Sequence, residues 1–156
     1  MSVEQKDNLN ENTSAVAEAD TDQAAKVETN AKRILVVDDE SDLVVMISTA
    51  LKHQGYEVIT ANDGQEGLEK AKTEKPDLIV LDLMLPRING YKVCGLLKKD
   101  TRYAKIPIIL LTAKASTEDM ELGKKVGADA YITKPYERET LISKIEELIK
   151  GEYTQW

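Results

Sequence analysis

The chain has 156 residues and a mass of 17.4 kDa, the size of one ordinary domain with some chain to spare. Its 28 acids against 21 bases give a formal charge of −7, which argues against nucleic acid as a partner because phosphate backbones demand a basic face. With one cysteine, one histidine, no secretory leader and no apolar run near the roughly 20 residues a bilayer requires, disulfides, Cys- or His-rich metal sites and membrane partners are excluded, and a cytoplasmic protein is expected.

Residues 1–30 hold seven acids and two bases, so −5 of the charge sits there. Their apolar residues are mostly alanine and form no stripe, so burial cannot offset ordering entropy. A disordered acidic tail is predicted over 1–30, as a dispensable extension or as an interaction tail. A folded domain then follows over 31–151, with a short extension at 152–156.

The run Ile34–Asp38 predicts a first strand, ending in Asp38-Asp39-Glu40. Leu43, Ile47, Ala50 and Leu51 make the apolar stripe of a first helix, which Gln54-Gly55 and Tyr56 close with a left-handed glycine. A second strand spans Glu57–Ala61, and Asp63 with Glu66 three residues on resembles a capping box for the next helix. The third strand, Leu78–Asp82, precedes a helix carrying Cys94, read as a small apolar residue rather than a reactive thiol. Ile106–Thr112 is the fourth strand, and Ser116 with Asp119 opens the fourth helix. Ala130–Thr133 is the fifth, followed by Lys134-Pro135 and a helix with the stripe Leu141, Ile142, Ile145, Leu148 and Ile149. Strictly alternating strands and helices, several strands being continuously apolar, predict an α/β fold with a doubly wound five-stranded parallel sheet.

In such sheets ligands bind beyond the carboxyl ends of the strands. Those ends carry Asp38-Asp39, Asp82, Thr112 and Lys134-Pro135. Each alone has an ordinary reading, as helix cap, strand residue or surface lysine. Together they describe one site. Clustered carboxylates repel unless a cation is present, and a hard divalent ion such as Mg²⁺ suits oxygen ligands. Beside a lysine and a hydroxyl, a carboxylate in that setting suits phosphoryl transfer with an aspartate nucleophile.

The segments Val36-Val37-Asp38-Asp39-Glu40, Asp82-Leu83-Met84-Leu85-Pro86-Arg87-Ile88-Asn89-Gly90, Leu111-Thr112-Ala113-Lys114 and Thr133-Lys134-Pro135 resemble the response-regulator receiver domain of two-component signalling, from about Arg33 to Lys150. The resemblance implies a flavodoxin-like sheet of order 2-1-3-4-5. It implies Asp82 as phosphoacceptor, with Asp38, Asp39, Asp82 and the Met84 backbone carbonyl as Mg²⁺ ligands. Thr112 would donate to the phosphoryl oxygens, Lys134 would pair with them, and Thr112 with Tyr131 would form the switch, although Tyr131 also suits plain core packing. The Lys134-Pro135 bond is expected to be cis.

The partners so implied are a sensor histidine kinase or histidine phosphotransfer protein, and a target protein on the fourth helix, fifth strand and fifth helix, roughly Ser116–Lys150. The domain would be a monomer or a phosphorylation-dependent dimer. It would promote its own aspartyl phosphorylation and dephosphorylation without turning over an external substrate. The short segment after the last helix suggests a stand-alone response regulator; an intermediate carrier in a phosphorelay and a phosphate-independent interaction module are the alternatives. A haloacid-dehalogenase-type phosphatase would want an acid where Met84 stands, and a flavin carrier a Ser/Thr/Gly-rich loop where Asp38-Asp39-Glu40 stands.

Overall fold

A computed structural model describes residues 30–152 and Trp156. The acidic tail expected over 1–30 lies outside the described residues except for Asn30, as does the middle of the 152–156 extension. The elements are β1 (Arg33–Val37), α1 (Ser41–His53), β2 (Glu57–Ala61), α2 (Gly64–Glu74), β3 (Leu78–Leu81), α3 (Gly90–Lys99), β4 (Ile108–Thr112), α4 (Thr117–Lys125), β5 (Ala130–Thr133) and α5 (Arg138–Ile149). The five strands run parallel in the order β2-β1-β3-β4-β5, as the resemblance implied. No helix among the described residues is long and apolar enough to cross a membrane.

The continuous apolar runs serve both sides of the sheet. Leu35, Val37, Ile79, Leu81 and Leu110 pack with Leu68 of α2 and with Val93, Cys94 and Leu97 of α3. The alternate residues Ile34, Val36, Leu78, Val80, Ile109 and Leu111 pack with Ile47 and Leu51 of α1 and Leu141 and Ile145 of α5. Each such Leu or Ile contributes about 2 kcal/mol of burial, so a one-residue slip of a central strand would exchange two filled faces. The α4 helix differs: Gly123 is its one buried residue.

Local signals mark most element ends. Gly55 adopts φ 95°, with Gly55 N donating to Lys52 O and Tyr56 N to Leu51 O, a Schellman closure of α1. Ser116 and Asp119 form a reciprocal capping box. Asp63 caps α2 by accepting from Glu66 N at 2.8 Å, but Glu66 reaches back to Asn62 N rather than to Asp63.

Two expectations shift. The fourth strand begins at Ile108, not Ile106, because the Ile106 amide closes a turn onto Tyr103 O and Pro107 has no amide to offer. The face that α1 buries is Val44, Ile47, Ser48 and Leu51, with Leu43 and Ala50 only half-buried. The helix is rotated slightly from the stripe read in the sequence.

Register builds the functional edge. Val37 pairs with both Ala61 and Leu81, so the residues that follow, Asp38 and Asp82, leave the sheet side by side. Asp38 N still donates to Ala61 O at 3.1 Å, and Asp82 N to Val37 O at 3.0 Å. Thr112 pairs with Thr133, which sets Lys134 one step beyond, its amide on Thr112 O at 2.8 Å. The Lys134-Pro135 bond is cis.

Candidate functional site

Asp38 and Asp82 are both buried, while Asp39 is exposed. One carboxylate oxygen from each of the three lies within 4.8 Å of the others. Lys134 Nζ bridges the buried pair, 3.1 Å from Asp38 Oδ2 and 3.1 Å from Asp82 Oδ2. The remaining oxygens are held by backbone. Asp38 Oδ1 accepts from Glu40 N at 2.9 Å, and Asp82 Oδ1 from Met84 N at 3.2 Å. Both carboxylates are thereby oriented toward the open edge.

The electrostatics follow from that packing. Burial raises the Asp38 carboxyl above its ordinary range, aided by the Asp82 charge and opposed by the Glu40 amide and Lys134. Burial works against the Lys134 charge, but the Asp38 and Asp82 carboxylates outweigh it and hold the ammonium above its ordinary range. One lysine thus faces Asp38, Asp82 and Glu40, whose Oε1 lies 3.4 Å from Nζ, with Asp39 beside them. Such a donor set, hard oxygens in excess of positive charge, suits a divalent cation bound through carboxylates.

Thr112 is fully buried at the end of β4. Its hydroxyl oxygen accepts from Lys114 N at 3.3 Å rather than engaging Asp82 or Lys134. Tyr131 sits apart from the carboxylates, its hydroxyl donating to Lys114 O at 2.8 Å. Asp38, Asp39, Asp82 and Lys134 are therefore brought together directly, whereas Thr112 and Tyr131 are joined to each other through the Lys114 backbone. Met84, expected to offer its carbonyl, presents its amide to Asp82 and exposes its side chain.

Three contributors were assigned no role from the sequence. Glu40 belongs to the acidic run, but its contact with Lys134 spans 94 residues. Gly90 opens α3 against the site: a Cβ there would overlap the Asp82 carbonyl oxygen and lie 2.8 Å from Leu83 Cα. Gly64 opens α2 in the same way, where a Cβ would overlap the Ile88 carbonyl oxygen. The 82–89 loop is thus pressed between two helix starts. Gly64 N on Pro86 O and Gly90 N on Leu83 O fasten it there.

The family model described as "Response regulator receiver domain" matches residues 34–146. Among curated proteins, the alkaline phosphatase synthesis transcriptional regulatory protein PhoP of Bacillus subtilis is 47% identical over 121 residues, 76% of this chain and 49% of that protein. The probable transcriptional regulator ycf27 of Cyanophora paradoxa is 44% identical over 124 residues, 80% of this chain and 51% of that protein. Among solved structures, a CheY-like response regulator receiver domain protein from Methanospirillum hungatei aligns with a TM-score of 0.74 at 33% identity, covering 79% of this chain and 97% of that one. The chain spans about half the length of the curated relatives it matches.

These relatives overturn one expectation, the exclusion of nucleic acid as a partner. Both curated relatives are named as transcriptional regulators. The exclusion rested on acidity alone, and the charge of one segment carries no information about the other half of such proteins. The stand-alone role read from the short segment after α5 draws no support from them either.

Proposed function

The chain belongs to the response regulator receiver domain family, whose signalling works by phosphorylation, and on that footing we propose that Asp82 accepts a phosphoryl group from a phosphohistidine donor and so alters the surface of α4, β5 and α5. The observation that carries the assignment is the Lys134 ammonium, 3.1 Å from both Asp38 and Asp82 at the edge where three carboxylates converge.

Asp82 is the only one of these carboxylates that is both buried and followed by the loop pressed against the start of α3, which favours the fixed orientation that in-line attack demands. A carboxylate oxygen of Asp82 forms the new bond to phosphorus as the phosphorus–nitrogen bond of the donor breaks, and the electron pair leaves on the imidazole. Lys134, already the counter-ion of Asp82, neutralises charge on the transferring oxygens. The Thr112 hydroxyl, whose oxygen accepts from Lys114 N, donates its proton to one of them. Asp38, Asp39, Asp82 and the Met84 carbonyl are the residues that would hold Mg²⁺. When bound, the ion supplies charge neutralisation at the phosphoryl oxygens.

In this reading the domain promotes its own phosphorylation and dephosphorylation and is not a turnover enzyme, and a cytoplasmic setting suits its reduced thiol. The proposal is confined to the receiver and holds whether the phosphoryl group stops here or passes on in a relay. Incubation with acetyl phosphate and Mg²⁺ should add one acid-stable, hydroxylamine-labile phosphoryl group, read by intact mass. Asp82→Asn should abolish it. Labelling of that variant at wild-type stoichiometry would sink the assignment.

A further inference from the structure

Trp156 is the single tryptophan of the chain, and it lies against Tyr131 of β5. Its ring stacks on Tyr131 with centroids 5.6 Å apart and planes 24° from parallel. Its indole N–H donates to Ala128 O at 3.3 Å, and Lys124 Nζ stands 5.4 Å from the ring centroid. The floor beneath both rings is Gly123: a Cβ there would lie 3.0 Å from Tyr131 Cδ1 and 3.2 Å from Trp156 Cη2. A stacking partner, a hydrogen-bond acceptor, a cation over the ring face and a side-chain-free floor together make a subsite for an indole.

We propose that this α4–β5 face is an indole-binding site that Trp156 of the same chain fills, and that engagement of Thr112 at the phosphorylation site releases it. The inference rests on the proposed function above. Its physical basis is a short series of contacts. Thr112 Oγ1 accepts from Lys114 N at 3.3 Å, Lys114 O accepts from the Tyr131 hydroxyl at 2.8 Å, and the Tyr131 ring carries the indole. Drawing the Thr112 hydroxyl toward a phosphoryl oxygen withdraws the acceptor that holds Lys114 in place. Tyr131 then loses the Lys114 acceptor and keeps only Tyr91 beside its hydroxyl, and the stack loses part of its support. Because α4 buries only Gly123 of its own residues, the indole also supplies apolar cover that the helix lacks. Release therefore frees both the face and the helix, and a partner bearing an aromatic residue competes for the vacated place.

The test uses the emission of Trp156 and its quenching by acrylamide, with beryllofluoride and Mg²⁺ as the phosphoryl mimic. The unmodified protein should show a blue-shifted, protected indole. Beryllofluoride should shift emission to the red and raise quenching, and Asp82→Asn should abolish that response. Gly123→Ala, which puts a better helix former in α4 and so does not weaken the helix itself, should expose the indole without beryllofluoride. By reciprocity of binding free energies, Trp156→Ala should bind beryllofluoride more tightly than wild type. An indole open to quencher from the start overturns the proposal, as does unchanged affinity in Trp156→Ala. Protection that is lost on dilution places the indole on a second copy and equally overturns it. Absence of any beryllofluoride binding by wild type defeats the functional reading and this inference with it; binding without a Trp156 response defeats this inference alone.

Discussion

Single side chains in this domain carry costs and gains that the fold makes measurable. Ser48 points its hydroxyl into the α1 face of the core, and its oxygen is a buried side-chain polar atom without a hydrogen-bond partner. Leaving a hydroxyl so placed costs on the order of 1–3 kcal/mol, and alanine is the better helix former. Ser48→Ala should therefore raise stability by about 1 kcal/mol in urea denaturation; a loss of that size would reveal a bond to Ser48 in solution. Cys94, on the face of α3 that packs on the sheet, is fully buried, and burial pushes its thiol up to about 12 from an ordinary 9.0. The unfolded thiol ionises near pH 9 while the folded one keeps its proton, so its contribution is complete below pH 9 and is lost as pH rises toward 12. The stability difference between wild type and Cys94→Ala should fall across that window, by up to about 1.4 kcal/mol per pH unit. A difference that stays flat from pH 8 to 10.5 would show that the thiol is not held protonated.

Elements in this fold are tied to one another at a few places that local sequence does not advertise. Lys98, near the end of α3, donates to Ala104 O at 3.1 Å and Ile106 O at 2.8 Å and pairs with Asp129 Oδ2 at 2.8 Å. The same Asp129 oxygen accepts from Ile108 N at 2.8 Å, so one ion pair aligns the starts of β4 and β5 with α3. Gly90 is the matching device at the other end of the sheet. Its missing side chain lets α3 begin in contact with the Asp82 backbone, and Asn89 caps the helix by accepting from Lys92 N at 2.9 Å. Gly90→Ala must push the 82–89 loop off its seat. It should cost about 2 kcal/mol or more, the size typical of overpacking, and lower the phosphorylation rate disproportionately to the stability lost. Circular dichroism melts beside acetyl phosphate labelling read both quantities, and an unaltered labelling rate would mean that the loop does not position Asp82.

At the scale of the whole molecule, the local excess of carboxylates at one edge contrasts with a nearly balanced remainder: residues 31–156 hold 21 acids and 19 bases. A cation that binds the folded edge and not the unfolded chain stabilises the domain by mass action, about 2.7 kcal/mol at one hundred times its Kd. Added Mg²⁺ should accordingly raise the melting temperature in a saturable manner. Asp39→Asn, at an exposed position, should remove the gain, and the metal-free melt should not fall, because the change takes a like charge away from Asp38 and Asp82. An equal gain in that variant would place the cation elsewhere. The same scale governs the proposed switch. The α4 helix is held by its caps and by the packing of Tyr131 and Trp156 on Gly123, not by a row of buried side chains, the pattern expected of an element that opens locally.

The strand count, the parallel sheet and the residues at its carboxyl edge were legible in the chain itself. Apolar runs, caps and turn glycines are decided by neighbours within a few residues, and parallel register then carries every strand end to one side. Asp38, Asp82, Thr112 and Lys134 could be assembled on that basis, since each follows directly from where its strand stops. The rotation of α1, the late start of β4, the contact of Glu40 with Lys134, the seats of Gly64 and Gly90, and the stack of Trp156 on Tyr131 could not. Each depends on how a surface meets another that is distant in sequence, on a rotamer or on the closeness of two backbones, and no local pattern encodes those distances. Only the packed structure decides them, because they are properties of pairs brought together by the whole fold.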